Sequence, residues 1–523
     1  MQRIAIFILG AILIAGCAKG PGESDQKTHS PSPSDKTKNI SALTATSGAD
    51  AEAKLMEQFK AFAVRKRDYA KRIVLGQNIK PPPLIWEFYQ SAIDGDFVET
   101  QKKYTELGKQ YGRGQGENKS GVPSEVQHTF SPAMELFGAM ETVDGWHAKF
   151  LHFYIEEIVS SIPKGSIYFG GTDPGRFAIT MGSKSHTQAE PFYTITQNAL
   201  ADATYLQYLR VLYGDRITIP SKEDNQRVFA AFFAEAKAKG VQPQGTDGVM
   251  DINGRLAKVI FNKNPDHDFY LEESFPLDWM KPHMVPHGLI FKLERKPLKE
   301  LPPDLIDQNR KDWQKYIALC VGDEVVKPET TVAELCKWVE TIYIKGKRGE
   351  FKGDAFYLKG KKEVMEKPAF QKGPPFSEQK AFSKMRCDQA RLFTWRESTT
   401  QDAELKKQYA READYAYRQA FALGPINPEV TFKFSSFLTK AKRFEEAKIV
   451  FNTFAKTEVV DSNSSKQFFY RNVFLPVLSE EEAHWVSQKE YAKAIVTVQK
   501  MVEIDGENKA QHFQRIERYK KLQ

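Results

Sequence analysis

Cysteine is scarce in this chain, four in 523 residues, which excludes a disulfide scaffold. Long apolar runs are missing as well. The run from Ile4 to Ile14 is only about half the length a membrane span needs, and no other window approaches 18 uninterrupted apolar residues, so no transmembrane helix is expected. An excess of one charge is also lacking: 75 basic against 67 acidic side chains leave +8, too dilute to argue for nucleic acid, and no basic patch interleaves with aromatics. Glycine (33) and proline (27) are near average, which rules out collagen-like or linker-dominated architecture. No G-x-S-x-G, P-loop, kinase or deaminase signature occurs, so no catalysis and no cofactor is assigned. With 41% hydrophobic and 27% charged residues, the composition is that of a folded chain of about three packed units.

At the amino terminus, Arg3 precedes the short apolar run, which ends Ile14-Ala15-Gly16-Cys17. An aliphatic residue and two small ones before a Cys resemble the lipobox of bacterial lipoproteins. The resemblance implies a signal peptide over residues 1–16, lipidation of Cys17, attachment to a membrane through the lipid, and a place in the cell envelope. Ala18, not Asp, follows, which by the usual sorting pattern favours the outer membrane, facing the periplasm, if the cell has two. More than one acyl chain gives stable attachment without a span. Cys320, Cys336 and Cys387 remain, an odd number, so at least one is expected unpaired. Cys336, among Val332, Leu335 and Val339, reads as a buried thiol; a Cys320–Cys336 bridge stays open.

Residues 17–53, with Ser30-Pro31-Ser32-Pro33-Ser34 near the centre, have too few large apolar side chains to fold and read as a disordered tether. Residues 54–122 are helical. Leu55, Phe59, Phe62, Tyr69 and Ile73 share one helix face, opposite Lys60, Arg65, Lys66, Arg67, Lys71 and Arg72, which are assigned to solvent or to anionic headgroups. Pro83 to Ile93, the turn Asp94-Gly95-Asp96 and Phe97 to Leu107 form an αα-hairpin.

Residues 130–375 alternate strand and helix. Strands are expected at 166–169, 192–196, 269–273 and 289–293, with helices at 146–159, 199–213 and 222–239; the last opens on the box Ser221-x-x-Asp224 and is expected to bury Val228, Phe229, Phe232 and Phe233. This order implies an α/β domain with a mostly parallel, Rossmann-like sheet. In such sheets ligands bind outside the carboxyl ends of the strands. The turn Gly170-Gly171-Thr172-Asp173-Pro174-Gly175 occupies that place, and Gly170, Gly171, Thr172, Asp173, Arg176, Asn198 and Asp202 are the candidate ligand-binding residues. Thr172 or Asp173 serves equally well as a helix cap. Asp266-His267-Asp268, Glu272-Glu273, Asp278, His283 and His287 form a second polar group, but Pro282 and Pro286 break the helical spacing that a metal pair would need, and no metal is assigned.

Residues 379–523 are helical and carry an internal repeat. Ala413, Tyr417, Ala420 and Pro425 are followed 34 residues on by Ala447 and Phe451, and a third copy at Tyr491, Ala494, Val498, Met501 and Gly506 follows after an insertion of 13. This resembles the tetratricopeptide repeat, with small residues where helices cross and an aromatic where repeats stack. Phe454 and Val459 depart from the pattern, and a plain helical bundle uses the same positions as core.

In the middle, Ser161-Ile162-Pro163-Lys164-Gly165-Ser166-Ile167-Tyr168-Phe169-Gly170-Gly171-Thr172-Asp173, together with 269–272 and 286–293, resembles the soluble module that follows the GT-C-like membrane domain in a bacterial family related to protein O-mannosyltransferases. The resemblance covers about 130 residues and implies a fold and an extracytoplasmic setting; the membrane part that would transfer a sugar is not in it. The expected function is therefore an envelope scaffold that binds an unidentified protein through its repeats, with no nucleic acid involved. A carbohydrate-binding protein or glycan-related enzyme using the Asp173 crevice is the alternative.

Overall fold

The computed structural model describes residues 48–77, 80–110, 124–183, 192–240, 245–273, 277–322, 325–341, 377–457 and 469–523. The expected signal peptide, Cys17 and most of the tether lie outside them. The chain is mostly helical, with a small mixed sheet in the middle, and it forms two compact units that divide between Leu298 and Lys299.

The first unit opens with α1 (Gly48–Gln77), the hairpin α2 (Pro83–Asp94) and α3 (Phe97–Gln110), then α4 (Ser124–Gly145) and α5 (Ala148–Ser161). The α1 stripe Leu55, Phe59, Phe62, Tyr69 and Ile73 is buried as its spacing requires. The hairpin turns on Gly95, whose φ of 82° only glycine adopts cheaply. Lys66 corrects the sequence reading. It is fully buried rather than solvated, paired with Glu135 of α4, and its Nζ donates to Tyr208 Oη at 2.9 Å while Tyr208 donates to Glu135 at 2.7 Å.

Five short strands follow: β1 (Ile167–Gly170), β2 (Tyr193–Thr196), β3 (Phe269–Glu272), β4 (Met284–His287) and β5 (Ile290–Leu293), in the order β2-β1-β3-β5-β4. Pairing is parallel across β2-β1-β3 and antiparallel across β3-β5-β4, so the sheet is mixed rather than mostly parallel. The antiparallel half arises because β4 and β5 are joined by only Gly288-Leu289, too short for a crossover, with Gly288 at φ 56°. Pro286 lies in β4, where an edge strand tolerates a missing donor. Between β1 and β2 stand a π turn (Pro174–Ala178) and the short α6 (Ile179–Gly182); α7 (Ala203–Tyr213), α8 (Lys222–Ala238) and α9 (Gly245–Lys263) separate β2 from β3. The capping box of Ser221 and Asp224 forms as expected. Of the four apolar residues assigned to the α8 core, only Phe232 is buried, and Phe233 is 53% exposed. Helix α8 lies against α9 through a narrow contact in which Arg255 sits over the Phe232 ring and pairs with Glu235.

The second unit contains α10 (Pro303–Cys320), α11 (Val332–Val339), α12 (Ser377–Thr399), α13 (Ala403–Leu423), α14 (Pro428–Lys440), α15 (Phe444–Ala455), a π turn (Tyr470–Phe474), α16 (Leu475–Ser487), α17 (Tyr491–Ile504) and α18 (Lys509–Lys520). The described residues from 299 to 341, expected in the α/β stretch, pack here instead: Asn309 and Trp313 of α10 both donate to Gln389 Oε1, at 2.7 and 2.5 Å, and Arg310 pairs with Glu412. Cys320, Cys336 and Cys387 are all buried and unpaired, and burial raises each thiol, Cys336 to about 12.

Two turns in this unit have the same backbone. Lys442, between α14 and α15, and Lys489, between α16 and α17, are the non-glycine residues at positive φ among those described, 61° and 59°. In each turn the following residue's N–H reaches back five residues, Arg443 to Leu438 at 2.8 Å and Glu490 to Trp485 at 2.9 Å. These are Schellman closures. Their separation, 442 to 489, equals that of Ala447 and Ala494, whereas the corresponding place five residues before Ala413 lies inside α13.

Two outcomes follow from the packing. Lys66→Met leaves Glu135 buried without its cation and should cost about 3–5 kcal/mol in urea unfolding, while Lys66→Met with Glu135→Met should recover most of that loss. Lys442→Gly and Lys489→Gly should each raise the unfolding free energy by about 1 kcal/mol, read as a higher urea midpoint, because glycine escapes the left-handed penalty.

Candidate functional site

The turn after β1 is built by strand register. Gly170 ends β1 directly opposite Glu272, the last residue of β3, and this brings the Glu272 carboxylate under the turn. Glu272 is buried. It accepts from Gly171 N at 3.0 Å, from Thr172 N at 2.7 Å and from Thr172 Oγ1 at 2.8 Å. The backbone donors that an anionic ligand would need are thus taken by the protein's own carboxylate. Glycine is required beside it: a Cβ on Gly175 would stand 2.1 Å from Glu272 Oε2, and one on Gly170 would stand 2.6 Å from Arg176 Cα. Tyr168 Oη closes the far side by donating to Gly175 O at 2.8 Å. Burial first, and then the Glu272 charge, holds the Tyr154 hydroxyl far above its ordinary range.

The remaining candidates do not converge on an open crevice. Asp173 is exposed and spends its carboxylate on Arg176, whose guanidinium also lies over the Phe177 ring. It makes no side-chain cap; Thr172 Oγ1 does so, accepting from Gly175 N at 3.2 Å. Asp202 is the exposed cap of α7, accepting from Thr204 N at 2.8 Å. Asn198 donates to Gly171 O at 2.9 Å and its own carbonyl accepts from Asn253 Nδ2 at 3.0 Å, while Asn253 Oδ1 accepts from Ala201 N at 2.6 Å. These bonds tie the β1 turn, the segment after β2 and α9 into one clamp. It fixes loops; it leaves no carboxylate poised for a substrate.

Glu272 and Asn253 are the residues that sequence reasoning missed as parts of this site. Glu272 carried a signal, since one carboxylate closes the otherwise apolar strand Phe-Tyr-Leu-Glu. The histidines of the second polar group hold backbone carbonyls at separate places: His267 with Gly165 O, His283 with Glu294 O and His287 with Ser161 O, at 2.6, 2.7 and 2.9 Å. Among the described residues no group of three or more His, Cys, Asp or Glu is arranged to hold a metal.

In the second unit the repeat positions are all buried: Ala413, Tyr417 and Ala420 on α13, Pro425 after it, Ala447 and Phe451 on α15, and Ala494 on α17. Two of them make the same contact. Tyr417 stacks face to face on Phe434 of α14 (5.7 Å, 11°), and Phe451 does so on Phe474 ahead of α16 (4.2 Å, 6°). Val496 on α17, Phe513 on α18 and Leu522 just after it are each half exposed or more. Comparison with protein-family models, curated proteins and solved structures gave no match.

Glu272→Gln replaces a charge-assisted acceptor and should destabilise the first unit by about 1.5–3 kcal/mol in chemical denaturation. Asp173→Asn, at an exposed ion pair, should leave the unfolding midpoint unchanged.

Proposed function

We propose that the chain is a lipid-anchored envelope protein whose carboxyl-terminal helices, arranged as tetratricopeptide-like repeats, bind another protein, with the α/β body as support rather than as a catalyst. The observation that carries this reading is that the Lys442 and Lys489 turns stand alike before Ala447 and Ala494, and the Tyr417 and Phe451 stacks stand alike after Ala413 and Ala447. Repeating helix pairs of this kind stack side by side and offer an extended face to peptides or helices. Val496, Phe513 and Leu522 add apolar surface near the end of the array, among Lys509, Arg518, Lys520 and Lys521. Membrane attachment rests on the Ile14-Ala15-Gly16-Cys17 pattern. Among the described residues no helix is long and apolar enough to cross a membrane. The occupied turn at Glu272 gives the glycan-enzyme alternative no supporting geometry.

The test uses the full chain in its own cells. Cys17→Ser should move the protein from the detergent phase to the aqueous phase on phase partitioning. Phe513→Glu with Leu522→Glu should remove a specific cross-linked partner while the melting temperature stays within a degree or two. An unchanged cross-linking pattern in that variant counts against the binding face, and unchanged partitioning counts against the anchor.

A further inference from the structure

Arg386 of α12 is fully buried, yet among the described residues no carboxylate lies within hydrogen-bond reach of it. Its partners are neutral amides: Nε donates to Gln419 Oε1 at 2.8 Å, and Nη1 to Asn309 Oδ1 at 2.8 Å and to Gln389 Oε1 at 3.0 Å. The Trp313 ring lies 5.0 Å from the guanidinium carbon. Those acceptors are heavily used, because Gln389 Oε1 also takes the Asn309 and Trp313 donors. The carboxylate whose field reaches Arg386, Glu412, is bound by Arg310. Two buried donors are left over, Arg386 Nη2 and Gln419 Nε2. Each is one covalent centre removed from the same Nε to Oε1 hydrogen bond.

A guanidinium cannot shed its charge as a buried carboxylate or amine does, so a buried one needs a counter-charge. Burial depresses this one to about 9, a measure of how poorly neutral dipoles replace water around it. We propose that Arg386 and Gln419 hold a small monovalent anion, chloride foremost, at Nη2 and Nε2, inside the packing of α10, α12 and α13. The anion supplies the missing negative charge and accepts from both idle donors. A water molecule at the same place would satisfy the donors and leave the charge uncompensated.

The experiment is a halide titration of the full-length protein at constant ionic strength, exchanging sodium gluconate for sodium chloride or bromide. A site that binds the folded state alone raises the melting temperature of the second unit by roughly 3–5 °C for each tenfold rise in halide beyond saturation. Gln419→Leu, which keeps the charge and removes the second donor, should flatten that slope whatever it does to absolute stability, as should Arg386→Met if it folds. A bromide-soaked crystal should show an anomalous peak beside Arg386 Nη2. Equal melting in halide and gluconate, an undiminished slope in Gln419→Leu, or a bromide-free crystal site would each overturn the proposal.

Discussion

The first unit depends on one buried charge and its answer. Lys66 projects from α1 into the interior, and it is tolerable there only because Glu135 of α4 and Tyr208 of α7 meet it, with the Phe62 ring 4.9 Å from its ammonium. An isolated ammonium in that place would be expelled or neutralised. Glu135 precedes the first two strands and Tyr208 follows them, so α1 and these helices cannot shift relative to one another without exposing or stranding a charge. The apolar stripe of α1 contributes most of the burial, and Lys66 lies on that same buried face.

Glu272 applies the same logic at the sheet. A glycine-rich turn at the carboxyl end of a strand presents backbone N–H groups that favour an anion. Here parallel pairing of β1 and β3 brings that anion from within the chain, and Gly170 and Gly175 are small because the carboxylate and the turn leave no room for a Cβ. What reads in sequence as a ligand crevice is in the fold a lock between two strands. In the second unit the small residues Ala413, Ala447 and Ala494 are buried on α13, α15 and α17, and Tyr417 and Phe451 stack on Phe434 and Phe474.

Much of the fold was legible from periodicity and turn chemistry. The α1 stripe, the hairpin at Gly95, the capping box at Ser221 and four of the five strands each carry a local signal that the structure places in the expected element. Even Lys66 left a trace, since Leu55, Phe59, Phe62, Lys66, Tyr69 and Ile73 run at spacings of four, three, four, three and four, and the lysine fills the gap of seven. Helix α9 went unread although Ile252, Leu256 and Ile260 recur every four residues, because its start is crowded with Gly and Asp. Strand β4 went unread because Pro286 lies within its four residues and Pro282 stands just before it.

The sequence by itself determined where helices begin and end and which faces are apolar, because those properties are set by residues within three or four positions of one another. Only the tertiary structure decided that Lys66 is buried, that Glu272 rather than a ligand fills the β1 turn, that the described residues from 299 to 341 pack with the carboxyl-terminal helices, and that Arg386 stands inside without a carboxylate among the described residues. Each of these depends on partners from distant segments, 69 residues apart for Lys66 and Glu135 and 100 for Thr172 and Glu272. Local periodicity can mark the buried face, as at Lys66, but it does not name a partner over such separations.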